Sequence, residues 1–388
     1  MKKRSRIEVR IHKPGAQPDC RHSRSRARFE LEGASRRGSA SSAVGPVRQP
    51  AAGISGRADP EIGISHLPNA ARLDDRVWTI VLAGGEGERL RPLMTRWLGT
   101  HRPKQYCTFV GNRSMLRHTL DRAEGLTGAE HMLVVVASHH EPRHWDRLDS
   151  RHDEAIIAQP HNRDTAPGIF LPLTYVGRRD PEATVVILPS DHFVHPQDAF
   201  LSAIRRAVRA ARGQPDKLVL LGARPDTAET EYGWIRPGGI LGSVDGQVIR
   251  RVTGFREKPD GREARRLLRS GGLWNTMVMA ASLPTLWRLG RRCVPATMRY
   301  FEEFAPAIGT DREAQALESL YRALPSANFS TDVLQQALDS LVVMELGDVL
   351  WSDWGSERRI VETLRRIGRR PLFLPTVAES PTHAASLR

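Results

Sequence analysis

The sequence predicts an α/β fold, a mostly parallel sheet flanked by helices on both faces. Three observations predict it. Continuous β-branched and aliphatic runs recur along the chain, segments of helical length and period separate them, and a glycine-rich loop follows the first run directly. Strands buried on both faces read as unbroken apolar runs, and strands alternating with helices imply parallel pairing.

The first run is VWTIVLA (77–83). It is followed by MLVVVAS (132–138), AIIA (155–158), TVVILPS (184–190) and KLVLLGA (217–223). Helical patterns occupy roughly 113–125, 165–178 and 197–212. Right-handed crossovers then set the loops after the strand C-termini along one edge, where ligands bind in such sheets. Beyond 223 the alternation loosens. Short strands are expected at 233–236, 247–257 and 274–280, and helices at 260–270, 283–292 and 312–323. A late strand, LVVMEL (341–346), precedes a last helix near 356–367. With no internal repeat, the second half reads as closing over the first rather than as an independent domain.

Composition bounds the rest. The chain has 388 residues, 40% of them hydrophobic, and no apolar run approaches the ~18 residues of a membrane-spanning helix. The formal net charge is +14, and half of that excess lies in residues 1–75, with 15 Lys and Arg against 8 Asp and Glu. That stretch is rich in Arg, Ser, Gly, Ala and Pro and lacks apolar periodicity. It reads as a disordered basic tail, or as an upstream extension, because it cannot bury enough surface to offset chain entropy. It has no apolar h-region, and Glu8, Asp19, Glu30 and Glu32 break an organelle-targeting pattern. A basic tail can touch nucleic acid or anionic lipid, but the remaining body is only mildly basic and no nucleic-acid partner is expected. The organisation expected is a tail over 1–75, a catalytic body over 76–370 and a C-terminal tail over 371–388. Cys20, Cys107 and Cys293 are odd in number and scattered. They speak against a disulfide framework or a cysteine zinc site and suit a reducing cytoplasm.

The loop AGGEGERLRPL (83–93) brings Ala83, Gly84, Gly85 and Gly87 to the end of the first strand. Backbone N–H groups in such a loop approach phosphate without interference from Cβ atoms. Arg89 follows at once and Lys104 lies in RPKQ (102–105), so glycine amides plus two cations suit a triphosphate. A GxGxxG loop would need glycine where Leu90 stands, and GxxxxGK[ST] is absent from the chain. An ordinary dinucleotide fold and a Walker ATPase are therefore excluded.

LAGGEGERLRPL followed by RPKQ resembles the signature of the sugar-1-phosphate nucleotidyltransferases, nearest to the mannose-1-phosphate guanylyltransferases. NRDTAP (162–167), LPSDH (188–192), FREKPD (255–260) and WSDWGS (351–356) resemble further family segments, in order, over roughly 77–367. The resemblance implies a Rossmann-like sheet of the nucleotide-diphospho-sugar transferase type and a Mg²⁺-assisted reaction of GTP with mannose 1-phosphate. Arg89 and Lys104 would bind the triphosphate and the leaving pyrophosphate, and Asp191 and Asp353 would ligate the metal. The segment 83–87 with Asn162, Thr165 and Pro167 would hold the nucleotide, although Thr165 can equally be a helix N-cap. Lys258 would bind the sugar phosphate. Gly233 in ETEYGWI, Glu257 and Asn275 in WNT would hold the sugar. His192 is expected to pack beside the loop rather than to ligate, and Trp274 to belong to the core.

Three features depart from the family pattern. Glu88 replaces a hydroxyl residue before the loop arginine, WLGTH (97–101) lengthens the stretch before RPKQ, and Met277 stands where glycine often follows WNS. Glu88 is tolerable beside a triphosphate if it points away or touches Mg²⁺. The chain ends soon after the last helix, so neither an isomerase module nor a left-handed β-helix is expected. UTP, ATP or dTTP with glucose 1-phosphate remains open at this point, as does a non-catalytic nucleotide-sugar sensor. A monomer and a homodimer are equally open.

Overall fold

The computed structural model describes residues 73–140 and 156–374. Most of the expected N-terminal tail, Ala155 of the third strand and the residues from 375 onward lie outside them. Leu73 to Asp75, assigned to the tail by composition, already belong to the folded body. The Leu73 N–H donates to the Leu126 carbonyl at 2.7 Å, and Asp74 pairs with Arg212 at 2.5 Å. At the other end the Leu372 N–H donates to the Phe109 carbonyl at 2.8 Å, and Phe373 packs edge-on against Trp97. The body therefore runs past 370.

The first half holds β1 (Val77–Ala83), α1 (Arg91–Leu98), α2 (Met115–Thr127), β2 (Met132–Ala137), β3 (Ile156–Gln159) and α3 (Thr165–Arg179). It continues with β4 (Thr184–Pro189), β5 (Phe193–His195), α4 (Gln197–Gly213) and β6 (Leu218–Ala223). Next come β7 (Gly233–Val244), β8 (Gln247–Glu257), α5 (Gly261–Arg269), β9 (Leu273–Ser282), α6 (Leu283–Cys293) and α7 (Pro295–Phe304). Last are α8 (Glu313–Ala323), β10 (Leu341–Glu345), β11 (Leu350–Ser352) and α9 (Glu357–Arg366).

Nine strands form one sheet in the order β3-β2-β1-β4-β9-β6-β10-β8-β7. The pairings make all of them run in one direction except β8 and β9. The reversed strand β9 sits between β4 and β6, so both halves of the chain share a single sheet. Alternation along β1 explains its unbroken apolarity. Trp78 and Ile80 face a layer with α3, α6 and α7, while Val77, Val81 and Ala83 face a layer with α2 and α4. Both faces are dry, as continuous apolar runs require. The helix α3 is itself buried over Ala166–Val176, because α7 and α8 cover its outer side.

The second half differs from expectation in one strand. β7 extends to Val244, well beyond 236. Pro237, Gly238 and Gly239 read as a stop, but β7 is the outer strand and its register shifts at Arg236–Pro237 and again before Ile240 and Gly242. An edge strand with bulges accepts a proline that a central strand rejects.

A second, two-stranded sheet pairs β5 with β11 in antiparallel register, with Trp351 opposite Val194 and Ser352 opposite Phe193. This small pairing brings the segment after β4 and the segment after β10 to one place at the ligand edge. A third apolar cluster supports it from below. Leu93 and Met94 of α1, Phe109, Trp354 and Ile360 of α9 pack together, with Phe193 stacked on Trp354 at 4.7 Å.

Candidate active site

β1 delivers the glycine loop at the C-terminal edge, and β4, its neighbour, delivers Asp191. The Ser190 N–H donates to the Leu82 carbonyl at 3.0 Å and locks the two strand ends together. The loop is held from inside by Gln105, whose Nε2 donates to the carbonyls of Ala83 at 2.9 Å and Gly85 at 2.7 Å. Gly87 has φ 66°, a left-handed conformation that favours glycine. Glu88 points away from the loop and forms an exposed pair with Arg91 at 2.5 Å. The extra carboxylate is thereby engaged by the first residue of α1.

Asp191 and Asp353 stand at the centre of a knot of opposite charges. The buried Lys104 ammonium lies 3.0 Å from Asp191 Oδ2 and donates to the Asp353 backbone carbonyl. Arg89 donates to Asp353 Oδ2 at 2.7 Å and to Glu231 at 3.3 Å. The other Asp353 oxygen accepts from the Tyr232 hydroxyl at 2.8 Å, the Gly355 N–H at 2.8 Å and Arg359 at 3.2 Å. Arg359 also pairs with Glu229 and lies over the Tyr232 ring at 4.6 Å. Burial opposes the charge on both aspartates. Lys104 and His192 outweigh it at Asp191, and Lys104 and Arg89 outweigh it at Asp353, so both carboxyls are held below their usual range. His192 packs edge-on against Trp351 at 5.1 Å, with Nε2 3.6 Å from Asp191 Oδ1, and burial lowers its imidazole below the ordinary range.

The expected nucleotide residues gather at the start of α3, beside β1. The Gln159 side chain wedges between Gly84 and Gly168 and donates to the Tyr321 hydroxyl at 2.9 Å. Asp164, not Thr165, is the N-cap of α3 and accepts from the Thr165 N–H at 2.6 Å. The Thr165 hydroxyl instead accepts from the Phe329 N–H at 2.8 Å. Asn162 is exposed and accepts from the Asp164 N–H at 2.9 Å, whereas Pro167 is buried in the first turn of α3.

On the sugar side, Gly233, Glu257 and Asn275 meet. A Cβ on Gly233 would lie 2.6 Å from Glu257 Oε2 and 3.2 Å from Asn275 Cβ, so any side chain there displaces the Glu257 carboxylate. Burial raises the Glu257 carboxyl above its usual range. Lys258 is exposed, and its backbone N–H donates to the Tyr232 carbonyl at 3.1 Å. The Asn275 amide, expected to face the sugar, is turned onto Met277. Its Oδ1 accepts from the Met277 N–H at 3.1 Å, and its Nδ2 lies 3.2 Å from the sulfur. Trp274 is buried core, edge-on to Tyr232 and Trp234.

Sequence reasoning missed the segment Asn328–Ser330. Asn328 Nδ2 donates to Asp164 Oδ1 at 3.1 Å, and the Ser330 hydroxyl lies 3.6 Å from the Met277 sulfur beside Asn275. It ties the α3 start to the sugar side and carried no motif. Arg359 was missed as well, although it falls three residues after the Ser356 N-cap, within reach of Asp353. Backbone strain marks the same region. Among the described residues, five non-glycine residues have positive φ, and Asp164, Lys258, Met277 and Trp354 are four of them. Each costs about 1–3 kcal/mol and persists only where its surroundings over-determine it. The positive φ of Met277, 56°, is why glycine suits that position and why methionine there is held by its neighbours.

Comparison with known proteins adds the following. Residues 78–369 match the family described as nucleotidyl transferase. A mannose-1-phosphate guanylyltransferase of Escherichia coli (strain K12) is 32% identical over 294 residues, covering 72% of this chain and 58% of the relative. The mannose-1-phosphate guanylyltransferase ManC of Salmonella typhimurium is 32% identical over 302 residues, with the same shares of 72% and 58%. Among solved structures, one named mannose-1-phosphate geranyltransferase, from Thermus thermophilus, is 29% identical with a TM-score of 0.64. That match covers 74% of this chain and 79% of the other. The chain spans less than two thirds of the length of the curated relatives named above.

Proposed function

The chain belongs to the nucleotidyl transferase family, and on that premise we propose that it joins GTP to mannose 1-phosphate, forming GDP-mannose and releasing pyrophosphate. The observation that carries the reading is the knot of Arg89, Lys104, Asp191 and Asp353 at the strand edge beside the glycine loop. The named relatives support guanine and mannose as the base and the sugar.

The attacking group is a phosphate oxygen of the sugar phosphate, which is already ionised at neutral pH, so no protein base is required. The task is to bring two anions together and to neutralise charge as the bond to the leaving pyrophosphate breaks. Backbone N–H groups of Gly84, Gly85 and Gly87 receive the triphosphate. Arg89 is half-exposed and turns from Asp353 onto phosphate oxygens. Lys104 stays buried and fixes Asp191, so its part is to hold the carboxylate as much as to meet the phosphate. Lys258 reaches the sugar phosphate from the exposed end of β8, Glu257 accepts from sugar hydroxyls, and Asn275 shapes the pocket through Gly233. Asn162, Thr165 and Pro167 line the nucleotide side.

A divalent ion fits the donor set, because Asp191 is partly exposed and offers hard carboxylate oxygens. Asp353 would be the second carboxylate to hold it, since among the described residues its Oδ2 is engaged only by the half-exposed Arg89. We assign the ion as Mg²⁺ held by Asp191 and Asp353. When bound it would supply positive charge to the phosphate oxygens. Among the described residues no helix is long and apolar enough to cross a membrane, which accords with the cytoplasmic setting we propose.

Two expectations follow from the geometry. Gly233→Ala displaces Glu257 and raises KM for mannose 1-phosphate at least about tenfold, an energy of roughly 1.4 kcal/mol, while KM for GTP changes little. Steady-state kinetics with each substrate varied in turn checks this. The second concerns pH. Because the folded pKa values of Asp191 and Asp353 are depressed, their charges and the stability they confer are complete above about pH 4. Both are lost only as pH falls through those lower values. The phosphate monoester of the substrate loses its second charge near about pH 6. The acid limb of kcat/KM for mannose 1-phosphate therefore sits near pH 6, and an acid limb found only below about pH 4 would assign it to the aspartates instead.

The reaction run backwards tests the function. GDP-mannose with pyrophosphate and Mg²⁺ yields GTP, and failure of the folded protein to produce it counts against the proposal.

A further inference from the structure

Glu86 lies in the glycine loop between Gly85 and Gly87, and the phosphate-binding reading gives its side chain no task. Its carboxylate faces two consecutive histidines that follow β2. His139 Nε2 lies 2.9 Å from Oε1, and His140 Nε2 lies 3.4 Å from Oε2. The three ligand-type atoms all lie within 4.8 Å of one another. We propose that Glu86, His139 and His140 form a binding site for a borderline transition-metal dication of the Zn²⁺ class, separate from the oxygen-only site at Asp191 and Asp353.

The donor chemistry selects the ion class. Two imidazole nitrogens and one carboxylate suit Zn²⁺ and its neighbours, whereas Mg²⁺ favours oxygen alone. The spacing agrees. Bonds of about 2.0–2.1 Å in a tetrahedral site set ligand atoms roughly 3.3 Å apart; each histidine already lies 2.9–3.4 Å from one oxygen of the carboxylate, and a small turn of the Glu86 side chain brings a single oxygen to both. The surroundings agree as well. His140 is buried, and its other ring nitrogen, Nδ1, lies 3.0 Å from the Tyr106 hydroxyl. That hydroxyl in turn lies 3.4 Å from the Ala83 carbonyl. A partner on the far nitrogen is what orients a ligating imidazole and fixes its tautomer. From the opposite side, His101 Nε2 lies 3.0 Å from the Glu86 carbonyl oxygen, so the backbone that presents the carboxylate is already pinned. His139 is half-exposed, which leaves the ion a way in and a fourth position for water. An ion held here ties the first loop, with Gly85 and Gly87, to the end of β2.

The test uses the full chain, stripped of metal with a chelator and titrated with Co²⁺ while visible absorption is followed. Wild type is expected to give a saturable four-coordinate Co²⁺ spectrum at one equivalent, displaced by Zn²⁺ and not by excess Mg²⁺. His139→Ala and Glu86→Gln are each expected to weaken binding by at least about tenfold, the loss that even an outer partner causes. His139 is open enough to solvent for the fold to survive its removal, and circular dichroism verifies that. Asp191→Asn is expected to leave the Co²⁺ titration unchanged. Unaltered affinity in both loop-site variants would overturn the proposal by moving the ion to other histidines, of which the chain has 14 in all. Absence of any saturable binding to wild type would overturn it by leaving only an ion pair between Glu86 and the histidines.

Discussion

Asp191→Ala is expected to lower kcat by about 10²-fold or more while the protein stays folded, the scale on which a main electrostatic stabiliser acts. The residue leaves a strand buried between β1 and β9, yet its own side chain is 31% exposed. Its loss removes a metal-type oxygen and frees Lys104 from its only carboxylate partner among the described residues. The sheet pairing that delivers it, Leu82 opposite Pro189, is backbone and survives the change. Circular dichroism and thermal melting establish the fold, and single-turnover pyrophosphate release measures the rate. Turnover at the wild-type rate would remove Asp191 from the chemistry.

Lys104→Met is expected to be as damaging and to act on stability too. Lys104 is 5% exposed, and its ammonium binds two groups at once, the Asp191 carboxylate and the Asp353 carbonyl. Methionine matches the stem but leaves Asp191 facing the Asp353 segment with no cation between them. Breaking a buried pair by removing one partner costs about 3–5 kcal/mol. Asp191 keeps part of its hydration, so the low end, about 3 kcal/mol, is expected. Urea unfolding gives the number. The double variant Lys104→Met with Asp191→Ala is expected to be more stable than Lys104→Met alone, because the stranded charge is gone. Additive losses would mean that the two residues act independently.

The central sheet was legible in the sequence because each of its first strands is apolar on both faces and needs no other information. The chemistry at the strand ends was legible for a related reason. Asp191 follows such a strand directly, so its position at the ligand edge is a consequence of topology. What escaped was short or strained. β5 and β11 are three residues each, too brief for a period of two to register, yet their pairing is what carries Asp353 to Asp191. α1 is only eight residues long and begins inside the glycine-loop motif with Arg91 and Pro92, so it read as part of the loop; its Leu93 and Met94 are buried against Phe109 and Trp354. α7 opens on Pro295, a first-turn proline consistent with a helix start that the pattern of apolar residues did not reveal.

The side-chain network was the least legible part. Tyr232, from the 229–235 segment, and Arg359, from the start of α9, both bond Asp353, and Glu229 of that same segment holds Arg359, so only the fold makes these residues neighbours. Asn275 kept its place but not its orientation, because Met277 occupies a left-handed position and offers its own N–H and sulfur to the amide. Glu88 showed the opposite case. A carboxylate that reads as hostile to a triphosphate is neutralised three residues along by Arg91, a pairing that helical spacing alone makes available.

The most direct test of the account is pyrophosphate release in the presence of Mg²⁺, measured over GTP, ATP, UTP and dTTP, each with mannose 1-phosphate and with glucose 1-phosphate. Turnover concentrated on GTP with mannose 1-phosphate is the predicted result. Preference for another pair would contradict the assigned substrates, and absence of turnover on every pair by folded protein would contradict the assigned reaction.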